Sequence, residues 1–231
     1  MKYKLTQNTK KVNGVVLYQI QALKDFGNVK KRDLGGWIED ENNLTQYGNC
    51  WVYDDACVLG NARVYGDAQV FGTARVYDDS QVSENAQVSG NAQVFGDAQV
   101  FGNAKVYDDV WVCGNVQVRG NVKVFGNAQV FDDAQVYGDA WVYDNAKVYD
   151  YAQVYDNAEV CGNAEVCGNA EVCGNAEVCG DYKKPKDETK PDVICQEEMD
   201  KILKGDVKEI MIDGARYRKV SKTITIWEKI S

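Results

Sequence analysis

The chain has 231 residues, of which 45% are hydrophobic, 11% aromatic and 26% charged, and its formal net charge is −9. No apolar run reaches the roughly 20 residues that a transmembrane helix needs, and the N-terminus lacks the apolar stretch of a signal peptide. The sequence contains no histidine, which removes the commonest general base and the commonest metal ligand. We therefore expect a protein that holds no cofactor or metal and does not enter a membrane.

The charge is distributed unevenly along the chain. Residues 1–33 carry eight Lys/Arg against two Asp/Glu, residues 34–181 six against 23, and residues 182–231 twelve against ten, giving +6, −17 and +2. A long acidic segment disfavours binding to nucleic acid or to an anionic membrane. The eight cysteines form no small disulfide framework, so we predict a reducing, cytoplasmic setting.

The N-terminal segment, 1–33, predicts a β-hairpin cap. Residues 3–7 and 15–22 flank Asn13-Gly14, and Asn-Gly between two alternating stretches is typical of a tight hairpin turn. Residues 34–50 predict an irregular first coil of the repeat that follows, with Leu34 in line with its valines and Ile38, Leu44 and Cys50 in line with its alanines. A cap is expected because an open solenoid end exposes apolar core and unpaired strand edges.

From Val52 to Val178 a valine recurs every six residues, through 22 consecutive hexapeptides. Most read Ala, any residue, Val, then Tyr, Phe or Cys, then Gly or Asp, then Asn or Asp. A fixed short period predicts a solenoid whose repeats are stable only when stacked. Alternation in a strand of about four residues sends Ala98 and Val100 inward and Gln99 and Phe101 outward. Gly102-Asn103 then forms a corner, because these residue types tolerate positive φ.

Six-residue sides close most naturally into a triangular coil of three hexapeptides. One coil departs from the pattern, because Val110, Val116 and Val122 replace the alanine in three successive repeats. We expect a fuller core and a local widening there.

The C-terminal part, 182–231, does not follow the repeat. Residues 183–191 hold both prolines of the chain and predict a linker. A short helix at 196–203 and a small β-meander at 210–212, 217–220 and 223–227 are expected beyond it. The predicted organisation is a hairpin cap at 1–33, a β-helix at 34–181, a linker at 182–192 and a small element at 193–231 that caps the rod or binds a protein partner.

The repeat resembles that of the hexapeptide-repeat left-handed β-helix proteins, in which an aliphatic residue is followed four positions later by a small one. Val100 and Ala104 fit this rule, as do Val124 and Ala128. The resemblance implies an all-β fold, a left-handed triangular parallel β-helix with three hexapeptides in each coil. A right-handed quadrilateral helix is the alternative fold, but its period is five. Segments 17–20, 33–38 and 49–56 resemble most closely a set of uncharacterised bacterial and phage proteins of this kind that carry transferase or acyltransferase labels.

Three functions are open at this point. The resemblance implies acyl transfer from coenzyme A or acyl carrier protein, but such enzymes use a histidine and a loop extruded from the coil. Neither occurs between Val52 and Val178, so a non-catalytic structural or binding rod is our preferred interpretation and a degenerate or histidine-independent acyltransferase is the alternative. An acidic mimic of nucleic acid is a third hypothesis, based on corner acids such as Asp54-Asp55.

Side chains three repeats apart are expected to share an outer face, and the most apolar of the three faces is the candidate interface. It carries Trp51, Tyr53, Phe71, Tyr107, Phe125, Trp141 and Tyr143. Such ladders also stabilise stacked strands, but an apolar strip of this length is unusual on a monomer. We predict a homo-oligomer, and the family resemblance favours a trimer. Cys161 and Cys179 lie one coil apart on the same face, within disulfide range, and whether they pair is left open.

Overall fold

The chain folds as a parallel β-solenoid. The computed structural model describes residues 1–180, residue 182 and four strands beyond them, at 193–195, 209–212, 215–219 and 227–230. Strands along the rod pair in parallel with partners three hexapeptides away, on three faces of about eight strands each. No helix occurs within these described residues. The β-solenoid with three hexapeptides in each coil is confirmed, whereas its left hand and its triangular section stay predictions.

The hairpin predicted around Asn13-Gly14 is confirmed. Strands β1 (Tyr3–Val12) and β2 (Val15–Ala22) pair antiparallel, and the two turn residues have φ of 50° and 87°. Strand β3 (Leu34–Ile38) pairs antiparallel with β2 and in parallel with β5 (Cys57–Val58). The hairpin therefore continues one sheet of the solenoid beyond its first coil.

Each coil contributes one strand to each face. The first face consists of β4 (Trp51–Val52), β7 (Gln69–Val70), β10 (Gln87–Val88), β13 (Lys105–Val106), β16 (Lys123–Val124), β19 (Trp141–Val142), β22 (Glu159–Val160) and β25 (Glu177–Val178). The second face continues from β3 and β5 through β8 (Arg75–Val76), β11 (Gln93–Val94), β14 (Trp111–Val112), β17 (Gln129–Val130), β20 (Lys147–Val148) and β23 (Glu165–Val166). The third face consists of β6 (Arg63–Val64), β9 (Gln81–Val82), β12 (Gln99–Val100), β15 (Gln117–Val118), β18 (Gln135–Val136), β21 (Gln153–Val154), β24 (Glu171–Cys173) and β26 (Val193–Cys195).

The strands of the coils are mostly two residues long, shorter than expected, but hydrogen bonding between coils continues past them. The Tyr53 N–H donates to the Val70 carbonyl at 2.8 Å, and the Asp55 N–H donates to the Gly72 carbonyl at 3.0 Å. The corner backbone is thus also paired with the next coil, which satisfies donors that a solvent-exposed turn would leave to water.

The core is the valine and alanine columns stacked along the axis. Every repeat valine from Val52 to Val178 is at most 4% exposed, and burying one valine side chain contributes about 1.5–3 kcal/mol. Ser80 occupies one alanine position, and its hydroxyl donates to the Tyr77 carbonyl at 2.7 Å. The inward and outward alternation predicted from the sequence is confirmed.

All 22 corner residues have positive φ, as their types predict. Side chains at the following position form ladders between coils, such as Asn85 to Asn103 at 3.0 Å and Asn103 to Asn121 at 2.9 Å. Corner aspartates accept N–H groups from the next coil, as Asp150 does from Gly168 at 2.9 Å. Most corners are therefore stabilised by backbone conformation and side-chain bonding together.

The coil that contains Val110, Val116 and Val122 has more open corners. The corner residues two positions before these valines are Asp108, Gly114 and Gly120, with φ of 67°, 83° and 87°. The other corner aspartates lie between 49° and 60°, and the other corner glycines between 66° and 76° except the last one, Gly180, at 84°. The corners before the larger side chains therefore have larger φ than most others, whereas the local widening of this coil stays a prediction.

The first coil corrects the predicted register. Leu34 is 54% exposed rather than in the valine column. Ile38 aligns with Val58 and Leu44 with Val64, so both occupy the valine column and not the alanine column. The reason is a two-residue excursion after Leu44. Its Gln46 accepts an N–H from Lys2 at 2.7 Å, so contacts with the N-terminal strand hold the excursion in place. Cys50 is buried, next to Trp51, which aligns with Gln69, so its predicted place in the alanine column holds.

Beyond residue 182, strand β26 pairs in parallel with β24 and so adds to the third face of the rod, which the sequence did not indicate. Strands β27 (Glu209–Ile212), β28 (Ala215–Lys219) and β29 (Trp227–Ile230) form a separate antiparallel sheet. The third strand begins at Trp227, the last residue of the segment predicted for it. The predicted helix at 196–203 and residues 183–192 of the predicted linker lie outside the described residues.

Candidate functional site

A stack of aromatic rings forms the centre of the predicted interface on the first face. The ring centroids of Tyr107 and Phe125 are 5.1 Å apart and those of Phe125 and Tyr143 are 4.9 Å apart, with nearly parallel planes. In-register parallel strands impose this spacing, and each ring pair contributes about 0.5–1.5 kcal/mol beyond its buried area. The three rings are partly buried. They therefore stabilise the rod and still present part of their surface to solvent.

Trp51, the first residue of the predicted interface, is not exposed. Its side chain is 1% exposed and lies against Tyr3 and Phe26, with centroid distances of 6.1 and 5.3 Å and edge-to-face geometry. The N-terminal segment thus covers the start of the first face. Trp51 is therefore buried beneath the cap and is not part of the candidate interface.

The remaining strip is divided into two parts. Tyr53 and Phe71 form an edge-to-face pair at 6.4 Å, and Ser89 then stands where the next ring of the column would lie. Trp141 is 36% exposed, and the Lys123 ammonium lies 4.0 Å from its ring centroid. The face is therefore amphipathic, and its aromatic column is interrupted.

The C-terminal end of the first face is polar and is cross-linked by a disulfide. The Tyr143 hydroxyl donates to the Glu159 carboxylate at 3.0 Å. Burial, followed by this hydrogen bond to a negative acceptor, raises the pKa of Tyr143 to about 12. One coil further on, Cys161 and Cys179 form a disulfide between adjacent coils, with their Cα atoms 4.5 Å apart. The pairing that the sequence left open is therefore present.

Aromatic stacking is not confined to the first face. Stacked pairs with centroids 4.8–4.9 Å apart also occur on the other two faces, at Tyr77–Phe95, Phe131–Tyr149 and Tyr137–Tyr155. The ladders are thus a general device of this rod. What distinguishes the first face is its run of three consecutive stacked rings beside an exposed tryptophan.

A small cavity on the third face was not predicted. It has a volume of about 220 Å³ and is lined by Tyr65, Gln81, Ser83, Glu84, Gln99 and Phe101. Two departures from the repeat could have indicated it. Ser83 stands in the aromatic column, and Glu84 is the single glutamate among the 22 corner residues.

The most perturbed basic group lies under the cap. Lys2 is 1% exposed, and its ammonium donates to the Cys50 carbonyl at 2.8 Å and to the Cys50 sulfur at 3.1 Å. Burial lowers the pKa of Lys2 and raises the pKa of the Cys50 thiol. Both groups are enclosed, and the cavity described above is lined by other residues, so we assign this pair to fastening the N-terminal strand.

Two further findings bear on function. Within residues 1–180 and the other parts that the structure describes, no group of three or more Cys, Asp or Glu side chains is placed to hold a metal ion. In the same described parts, no helix is long and apolar enough to cross a membrane.

The fold and its repeats define a β-solenoid repeat protein, and comparisons with known sequences agree. The sequence model of the YdcK beta-solenoid repeat family matches residues 98–114. A stretch of 44 residues is 48% identical to a protein of Escherichia coli (strain K12) named "Uncharacterized acetyltransferase YdcK". The alignment covers 19% of this chain and 14% of that protein. The resemblance to hexapeptide-repeat proteins with transferase labels is confirmed.

Proposed function

We propose that this protein is a non-catalytic rod that assembles with copies of itself through its first face. The observation that carries the proposal is the stack of Tyr107, Phe125 and Tyr143 beside the 36%-exposed Trp141. Aromatic side chains are enriched at the centres of protein interfaces. The stack also keeps its rings in fixed positions, so little side-chain entropy is lost on association. A closed trimer is the assembly that the family resemblance favours.

Phe125→Glu tests the proposal, and Phe131→Glu is its matched control. Both residues belong to aromatic ladders, on the first and second face respectively, but Phe125 stacks on two rings and Phe131 on one, so circular dichroism must show that both variants remain folded. We expect light scattering to give an oligomer for the wild type and for Phe131→Glu, and a monomer for Phe125→Glu. A monomeric wild type, or an unchanged mass for Phe125→Glu, would reject assembly through this face.

An acetyltransferase activity is the second candidate, and the name of the E. coli relative is the observation in its favour. Against it stand the absence of histidine from the sequence and the unbroken register from Val52 to Val178, which leaves no extruded loop. Titration calorimetry with acetyl coenzyme A separates the two candidates. Saturable binding would favour the enzyme, and its absence supports the rod.

Mimicry of nucleic acid receives less support. Six corner aspartates accept a glycine N–H from the next coil, among them Asp54, Asp108 and Asp150. Much of the negative charge thus has a local structural use, as turn residues commonly do.

The proposal also includes a protein partner for the C-terminal element and a cytoplasmic location. Comparing the native mass of the chain with and without residues 182–231 tests whether that element contributes to assembly. The Cys161–Cys179 disulfide tests the location, because cytosolic thiol buffers keep most cysteines reduced. Because Cys161 is 7% exposed, the alkylating reagent is applied during denaturing lysis; it should label both cysteines if the location is the cytoplasm and leave both unlabelled if the compartment is oxidising.

A further inference from the structure

We propose that the cavity on the third face is a binding site for a flat, positively charged aromatic ring, independent of the assembly proposed above. The outer column of this face runs Tyr65, Ser83, Phe101, Arg119, Tyr137 and Tyr155. Ser83 is the single small residue in this part of the column, and the cavity lies there, lined by Tyr65 on one side and Phe101 on the other. The site is a missing rung of the ladder.

The spacing of the coils fits one ring. Tyr65 and Phe101 are two coils apart, which corresponds to about 10 Å at the strand spacing of parallel sheets. A ring placed midway would lie about 5 Å from each neighbour. The occupied rungs of this chain stack at the same distance, 4.9 Å between Tyr137 and Tyr155 for example. The volume of about 220 Å³ is below that of a drug-sized pocket and suits a ring system of one or two rings.

The charge of the ligand follows from Glu84. Corner aspartates elsewhere bond to a glycine N–H of the next coil, as Asp108 does to Gly126 at 3.1 Å. Glu84 is one of the residues that line the cavity, and its carboxylate makes no hydrogen bond or ion pair within the part of the chain that the structure describes. It is also held at a φ of 56°, a conformation that glutamate seldom adopts. A glutamate among the lining residues of a cavity that also has two aromatic residues in its walls favours a cationic ligand.

The same column already contains a flat cation as a rung. At Arg119 the chain has no aromatic residue, and the guanidinium lies 4.7 Å from the ring centroid of Tyr137. On this face, therefore, a planar positive group replaces a ring where the sequence omits one. At Ser83 the chain supplies no such group, and an external one would complete the ladder.

The departures from the repeat are concentrated at this point. The hexapeptide 80–85 combines Ser80 in the alanine column, Ser83 in the aromatic column and Glu84 at the corner. The Ser80 hydroxyl is satisfied by the Tyr77 and Val94 carbonyls, so it acts in the core. Gln81 accepts the Tyr65 hydroxyl at 3.1 Å, which fixes one wall of the cavity.

The test measures binding of N-methylquinolinium, the probe, to the full chain by titration calorimetry at low salt. We expect saturable binding of one probe per chain. Quinoline, which has the same shape without the charge, and N-methylpiperidinium, which has the charge without the flat ring, should both bind more weakly. Absence of binding by N-methylquinolinium, or equal binding of all three compounds, would overturn the proposal.

Two variants locate the site. Ser83→Phe fills the missing rung with the residue used at other rungs and should weaken binding about tenfold or abolish it. Glu84→Gly installs the commonest corner residue and should weaken binding by up to about fivefold, the value for an exposed ion pair. Ser89→Phe is the matched control, since Ser89 leaves a similar gap on the first face without an adjacent glutamate, and it should bind as the wild type does. Wild-type affinity in Ser83→Phe, or loss of binding in Ser89→Phe alone, would refute this location.

Discussion

Val118→Ala is expected to destabilise the rod more than Val116→Ala, although both substitutions remove the same two methyl groups. Both side chains are fully buried. The lost transfer free energy is therefore about 1.6 kcal/mol in each case, at about 0.8 kcal/mol per buried CH₂. The difference arises from the cavity that remains.

Val118 lies in register between Val100 and Val136. These valines maintain the local width of the coil, so the cavity persists and adds about 1 kcal/mol, for roughly 40 Å³ at about 24 cal/mol per Å³. Val116 lies between coils that carry alanine in the same column. There the strand can move inward, and the corners at Gly114 and Gly120 can relax from 83° and 87°. We expect losses of about 2.5 kcal/mol for Val118→Ala and about 1.5 kcal/mol for Val116→Ala.

Urea unfolding followed by circular dichroism measures both losses, with equal m-values as the check that the unfolded states are comparable. If Val116→Ala costs as much as Val118→Ala, or more, the interpretation of the wide coil as an accommodated excess of volume is wrong.

Three further predictions concern the corners, the disulfide and alkaline pH. Gly102→Ala should lower the free energy of unfolding by about 1–3 kcal/mol, because φ is +76° and the new Cβ would lie 2.7 Å from a backbone nitrogen of the next coil. Gly14→Ala is the control, since Gly14 also has positive φ but no atom lies within 4 Å of the new Cβ. Thermal unfolding should show a smaller decrease in melting temperature for Gly14→Ala than for Gly102→Ala. Reduction of the Cys161–Cys179 disulfide should lower the free energy of unfolding by about 3 kcal/mol, the value for a loop of this size, and Cys161→Ser should be insensitive to reductant. Tyr143 has a pKa of about 12 in the fold against about 10 in the unfolded chain; its contribution is therefore present below pH ~10 and lost as the pH rises towards ~12. The stability of Tyr143→Phe should fall less steeply over this interval, and parallel curves for the two proteins would contradict the pKa shift.

The regular part of the fold follows from the sequence because every hexapeptide repeats the same local chemistry. A branched side chain at one position and a residue tolerant of positive φ two positions after it determine both the inward column and the corner. Val110 marks a departure from this chemistry, and the corner before it, at Asp108, has the largest φ of the corner aspartates. Where each repeat contacts only copies of itself, the period of the sequence and the volume of the side chains are sufficient to predict the local structure.

Errors occur where contacts come from outside the repeat. Counting back three repeats from Val52 places Leu34 in the valine column. The count fails because two extra residues near Gln46 shift the register, and Gln46 is held there by a hydrogen bond from Lys2, which is far away in sequence. Trp51 has the same repeat position as the exposed Trp141 and is buried only because Tyr3 and Phe26 cover it. Strand β26 is similar, since residues with no hexapeptide pattern continue the third face. Period cannot indicate such long-range packing.

The cavity at Ser83 escapes prediction for a different reason. Its residues are visible in the sequence as exceptions in a column, but a gap in a ladder has meaning only when the neighbouring rungs are known to stack. The centroid distances between stacked rings at other positions show how wide such a gap is.

The three identical hexapeptides at 158–163, 164–169 and 170–175 determine how this molecule can change in length. Tandem duplication of three hexapeptides would lengthen the rod by one coil and leave every later side chain on its original face. Duplication of one or two would instead move every later residue to a different face of the rod. The proposed interface residues, from Tyr107 to Tyr143, precede these hexapeptides, so the rod can change in length at this point without altering that surface.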